Sequence, residues 1–214
     1  MLAEFSVECA ADDPVLDVPW SMPDALHKPD ALPNPATPRN SAGMARFIDL
    51  RENPYDLDHI VEAEQHPALL QALRALNANR SPVFTAKCDA WVQDAEECEA
   101  LRIDLNLMES EAPCGFTSYI DMIWRERTIF VSFHQQEQRL VRLARLLQPL
   151  DHPYTAVDCV LRPAMVDLTG PQEGFAVSLY IKALGTDPAH AYEHWAAALD
   201  AVVAVVRGRE FSLM

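Results

Sequence analysis

The pattern of this chain predicts an α+β protein: an antiparallel sheet built from two strand–strand–helix halves, with the helices packed on one face. An N-terminal strand, a Pro-rich irregular segment and a broken helix precede the two halves. Three observations predict it. Strand-like runs bounded by turn residues occur at 83–93, 116–124, 154–166 and 174–184. Two helical stretches, about 135–148 and 187–207, each follow a pair of such runs. The resulting order, strand, strand, helix, twice over, favours antiparallel pairing with helices segregated to one side.

Residues 3–9 alternate, with Ala3, Phe5, Val7 and Cys9 on one side and Glu4, Ser6 and Glu8 on the other, which predicts a half-buried strand. Residues 10–44 lose that period. Pro14, Pro19, Pro23, Pro29, Pro33, Pro35 and Pro38 exclude a continuous helix or a central strand, so an irregular segment is expected, mobile around 24–43, with Trp20 pinning its first part. This sets an N-terminal region 1–44 apart from a domain 45–214. Phe47–Leu50 reads as a short strand, and Asn53–Pro54 as a helix start. His66–Pro67 interrupts that helix, because the residue before proline avoids the helical region. A second helix follows to about Asn77, with Leu69, Leu70, Leu73 and Leu76 as its apolar stripe.

The first half then has a strand at 83–93, an acidic loop, strands at 116–124 and 128–133, and the helix at 135–148. The second has a strand at 154–166, a turn at Thr169–Gly170–Pro171, a strand at 174–184 and the helix at 187–207. Short echoes suggest an internal duplication of 83–148 in 154–207: Phe84–Thr85–Ala86 answers Tyr154–Thr155–Ala156, and Gly115–Phe116 answers Gly174–Phe175. The last helix has Asp187 as N-cap, Pro188 at its first position and Gly208 as its stop. Tyr192, Trp195, Ala196, Leu199, Val202, Val203 and Val206 share one face.

The formal charge is −15 over 214 residues, concentrated in two segments. Residues 1–30 hold seven acids against Lys28, and residues 94–111 hold seven against Arg102. Such a field repels phosphates, which argues against nucleic acid or an anionic membrane as partner. It permits a basic protein partner, or a second copy of the chain. The five cysteines show no CxxC and no zinc-ligand spacing, so free thiols in a reducing, cytoplasmic setting are expected. The first residues lack a basic region followed by an apolar run, so no signal peptide is expected. No stretch reaches the about 18 consecutive apolar residues that a membrane span requires.

Several residue sets carry side chains capable of chemistry. His190 and His194 share a helix face at i, i+4, but Ala191 stands where a zinc-protease helix has glutamate, and the pair lies nearly opposite the apolar stripe, toward solvent. His59, Glu62 and His66 lose a common face at Pro67. Cys114, in an expected turn, sits in a negative neighbourhood that disfavours a thiolate, and nothing brings His134 to it. Arg139, Arg142 and Arg145 read as a solvated polar stripe. GxGxxG, a P-loop, GxSxG and an EF-hand loop are all missing from the sequence, so no metal and no cofactor is expected.

Strand alternation yields the remaining set. If Phe84, Ala86, Cys88 and Ala90 point to the helices, then Thr85, Lys87, Asp89 and Trp91 point away. The same logic turns Thr117, Tyr119, Asp121 and Ile123 outward on the next strand, and Ser178, Tyr180, Lys182 and Leu184 outward on the strand at 174–184. Lys87, Asp89, Trp91, Tyr119, Asp121, Tyr180 and Lys182 thus form a candidate partner or ligand face. The function this predicts is non-enzymatic binding or adaptor work through that face and the acidic surface. Two alternatives are a small hydrolase or transferase using Asp89, Asp121, Lys87 and Tyr180, and an inhibitor that masks a basic partner site.

Overall fold

The computed structural model describes residues 1–8, 16–18, 50, 57, 60–108, 112–167 and 170–212. Of the Pro-rich stretch the described residues are Leu16–Val18, a short strand; the expectations for the rest of it, for Cys9, Trp20, the strand at 47–49, the start at Asn53–Pro54 and His59 fall outside the described residues, as do Glu109, Glu111 and Thr169.

The strands are β1 (Leu2–Val7), β2 (Leu16–Val18), β3 (Val83–Val92), β4 (Cys114–Trp124), β5 (Thr155–Asp167) and β6 (Pro171–Gly185). The helices among the described residues are α1 (Val61–Gln65), α2 (Pro67–Asn77), α3 (Ala95–Asp104), α4 (Arg127–Phe130), α5 (Phe133–Leu147), α6 (Pro188–Arg207) and α7 (Arg209–Ser212). None of them is long and apolar enough to cross a membrane.

One sheet runs in the order β1-β5-β6-β4-β3, with β2 also on β5. The pairs β3–β4, β4–β6 and β5–β6 are antiparallel as expected. The sheet is nonetheless mixed, because β1 and β2 both run parallel to β5. Their partner lies some 150 residues away in sequence, so no hairpin dictates direction, and alternation alone carries no information about it. The second strand of each predicted half, β4 and β6, lie side by side at the centre.

The core fills the space between the sheet and α2, α5 and α6, where Ile120, Leu179 and Ile181 meet Leu73, Leu140, Trp195 and Val202, all fully buried. His66 closes α1 and opens α2 in extended backbone (φ −126°, ψ 93°), with Pro67 at the first position, as its place before proline requires. Trp195 of α6 is fully buried, donates from Nε1 to Ser118 Oγ at 2.8 Å and packs on Phe116 with ring centroids 4.7 Å apart.

Three expectations about this first half are corrected. The acidic stretch after β3 is not a loop. Asp94 accepts the amides of Glu96 and Glu97 while Glu97 reaches back to the Asp94 amide, a capping box that starts α3. Helix α3 also breaks the one-face rule: it packs on the opposite side of the sheet, over a small cluster of Cys98, Leu101, Ala112, Ala156 and Leu184. The strand expected at 128–133 is instead the short helix α4, followed by Ser132, whose side chain caps α5.

Alternation in β3 fails at one point for a specific reason. Thr85 pairs with Met122 but Cys88 pairs with Ile120, so Ala86 and Lys87 together oppose Asp121. This β-bulge shifts the strand's phase by one residue. Phe84 therefore pairs with Ile123 on the face away from α2 and α6, and Thr85 turns to the helices, where its hydroxyl accepts from Asn77 Nδ2 at 2.7 Å. After the bulge, Asp89 and Trp91 regain the expected outward side. The bulge and exposed Lys87 also blunt β3 as an edge strand.

Candidate functional site

The face of the sheet away from α5 and α6 is assembled by cross-strand register. Asp89, Tyr119, Tyr180, Asp158 and Glu4 are successive partners across β3, β4, β6, β5 and β1. The adjacent row runs Trp91, Thr117, Lys182, Ala156 and Leu2. Directly opposed side chains in such rows share a face and touch their neighbours. Trp91 meets Tyr119 edge-on at 6.4 Å, and Tyr119 meets Tyr180 at 5.8 Å, giving an aromatic ladder over three strands.

Helix α3 stands over one end of this face and turns it into a trough of about 540 Å³. Glu97, Ala100, Leu101 and Asp104 form the wall. The floor includes Glu4, Ser6, Glu8, Trp91, Gln93, Thr117, Asp158, Val160, Tyr180 and Lys182. The wall can approach so closely because Gly115 lies beneath it. A Cβ there would fall 1.9 Å from Gln93 Oε1 and 2.8 Å from Cys98 Sγ. Gln93 is buried and ties the two parts together, donating to Thr117 Oγ1 at 2.6 Å and accepting from the Cys98 thiol at 3.7 Å.

The trough is rich in carboxylates. Glu4, Glu8, Glu97, Asp104 and Asp158 line it together with a single lysine. Lys182 Nζ sits 2.7 Å from Asp158 Oδ2, both side chains being about one-third exposed. Arg162 holds Glu8 at 2.9 Å. The Trp91 indole N–H points at the Glu97 carboxylate, 3.3 and 3.4 Å from its two oxygens, which fixes the first ring of the ladder against the wall. Burial, with Asp121 and Asp89 nearby, pushes the Tyr119 phenol up to about 12, so it stays a neutral ring at ordinary pH.

Six of the seven residues read from the sequence occupy this face, and Lys87 lies in the bulge. Asp121 departs from expectation in another way. It is only 5% exposed, accepts a hydrogen bond from the fully buried Ser178 hydroxyl and is inaccessible to a partner. Burial raises its pKa, an effect opposed by the Ser178 bond, Arg162 and Lys87. Asp89 is exposed and caps the next backbone amide, Ala90 N, at 2.7 Å. Of the four residues of the enzyme alternative, Asp121 is thus sealed from solvent, while Asp89 and Lys87 are exposed.

Asp158, Glu4 and Glu97 are the additions the sequence reading lacked. Asp158 was legible, since 156, 158 and 160 alternate with the core positions Val157, Cys159 and Leu161. Glu97 was announced by the Asp94-x-x-Glu97 spacing. Glu4 falls on the polar side of its strand by alternation, but nothing in the sequence sets that strand beside β5.

The other candidates separate. His190 Nδ1 lies 2.8 Å from Thr186 Oγ1 and 2.6 Å from Asp187 Oδ2 at the start of α6. His194 does not face solvent as expected: its ring stacks on Tyr154 at 5.1 Å and Nδ1 lies 2.7 Å from the Leu184 carbonyl. Among the described residues no three metal-ligating side chains gather. Arg139 is not on a solvated stripe but buried, its guanidinium 5.0 Å from the Trp124 ring. Cys114 opens β4 rather than sitting in a turn. Comparison with known protein families, with curated proteins and with solved structures finds no match to this chain.

Proposed function

We propose that this protein is a non-enzymatic binding module that holds an extended, positively charged segment of a protein partner in the trough between α3 and the sheet. The observation that supports it is the coincidence, in one walled depression, of two rings of the aromatic ladder, Trp91 and Tyr180, with five carboxylates and one lysine. Aromatic rings supply apolar contact area at low entropic cost, and carboxylates steer a cationic segment and set its register. The inhibitor reading is the special case in which the segment belongs to a basic active site. The hydrolase or transferase reading is weaker, because Asp121, one of the four residues it draws on, is buried with its carboxylate held by Ser178.

Isothermal titration of the folded protein with a capped lysine- and arginine-rich peptide tests it. Binding should weaken steeply with salt, vanish for an acidic peptide of equal length and fall severalfold in Asp158→Asn and Trp91→Ala. A basic peptide that gives no heat, or that binds both variants as tightly as the parent, overturns the proposal. Concentration-dependent self-association abolished by the same variants would replace the foreign partner with a second copy.

A further inference from the structure

Resting on that reading, we infer that the trough selects arginine over lysine, with the guanidinium laid on the Tyr180 ring that lines it, beside Tyr119, and paired to Asp158 in place of Lys182.

The geometry of the central row leads there. Two half-buried tyrosine rings, 5.8 Å apart, occupy neighbouring strands, with a carboxylate at each end, Asp89 beside Tyr119 and Asp158 beside Tyr180. Strands lie about 4.8 Å apart, so an incoming side chain over the rings reaches the Asp158 carboxylate without leaving their surface. A guanidinium is flat, stacks on aromatic faces and presents paired N–H groups that match a carboxylate. An ammonium is a compact, strongly hydrated point charge that gains less from a ring.

An independent observation shows that the position accepts a cation. The protein's own Lys182 already places Nζ 2.7 Å from Asp158 Oδ2. Lys182 emerges from the neighbouring row, between Thr117 and Ala156, so its ammonium satisfies Asp158 as an internal surrogate. A partner's guanidinium takes the carboxylate in two-point fashion and releases the ammonium to water. The wall limits how the ring ladder can respond, since Trp91 is tethered to Glu97.

The test uses the full chain and one short, capped basic peptide synthesised with arginine, lysine or citrulline at its central position, titrated calorimetrically at fixed salt. The arginine peptide should bind about tenfold more tightly than the lysine peptide, and the citrulline peptide, planar but neutral, should be weaker than both. Lys182→Met, which removes the surrogate, should tighten the arginine peptide severalfold. Tyr180→Phe keeps a ring and should keep the preference, whereas Tyr180→Leu should erase it. If Tyr180→Leu does not fold, Asp158→Asn answers the same question, because it too must level arginine with lysine. Equal binding of the arginine and lysine peptides to the parent protein overturns this inference and leaves the binding function standing. Failure of all three peptides overturns both.

Discussion

Gly115→Ala tests whether α3 truly closes the trough. The added Cβ would lie 1.9 Å from Gln93 Oε1, 2.7 Å from Gln93 Cδ and 2.8 Å from Cys98 Sγ, all shorter than any relaxed contact. Gln93 is flexible in principle, but its amide is committed: it donates to Thr117 Oγ1 and accepts from the Cys98 thiol, in a region where Cys98 is 3% exposed and Thr117 2%. Moving it aside breaks both bonds, each worth about 0.5–1.5 kcal/mol with a weaker share for the thiol, and overpacking a tight site adds roughly 1–3 kcal/mol. A total loss of about 2–5 kcal/mol is expected, read as a lower urea midpoint with an unchanged slope. Because the clash lies under α3, against Gln93 and Cys98, basic-peptide binding should weaken beyond what the lost stability explains. The double variant Gly115→Ala/Gln93→Ala removes the obstructing side chain and should recover part of both losses. Parent-like stability and peptide affinity in Gly115→Ala alone would refute the placement of α3 and, with it, the trough.

Three further outcomes are expected. Trp195→Ala, which empties a fully buried site and orphans the Ser118 hydroxyl, should cost about 3–5 kcal/mol in chemical denaturation, and a loss under about 1 kcal/mol would show that the α6 packing is misread. His194→Ala should cost about 1–2 kcal/mol, since it removes both the Tyr154 stack and the contact with the Leu184 carbonyl. An effect indistinguishable from zero would return His194 to solvent. His66 is held below its ordinary pKa of 6.5 by burial among Phe116, Tyr192 and Trp195, partly offset by Asp89, so the folded protein binds its proton less readily than the unfolded chain. Stability linked to His66 is therefore present above pH 6.5 and lost as pH falls below it, and His66→Phe should flatten that decline in urea titrations between about pH 7 and pH 5. An identical decline in the variant would assign the effect elsewhere.

What the sequence determined by itself is local. Capping and proline chemistry placed α2 and α6, with His66 and Asp187 at their starts. Period-2 alternation placed β4 and β6 and turned Tyr119, Tyr180 and Lys182 to the same side, because side chains on a strand alternate whatever the strand pairs with. The Asp94-x-x-Glu97 box was equally local, and the count of acids around it hid a helix that its spacing announces. Other features needed the tertiary structure because they depend on groups far apart in the chain. The direction of β1 is set by β5 and not by any turn. The bulge at Ala86–Lys87 reverses Phe84 and Thr85, and only the partner strand reveals which residues have no opposite number. Arg139 is drawn into the core by the Trp124 ring, and Asp121 is sealed by Ser178, although both read as surface charges in their own segments. The trough itself joins Glu4, Glu97, Asp158 and Tyr180 from four elements, and no periodicity within one element encodes which others it will meet.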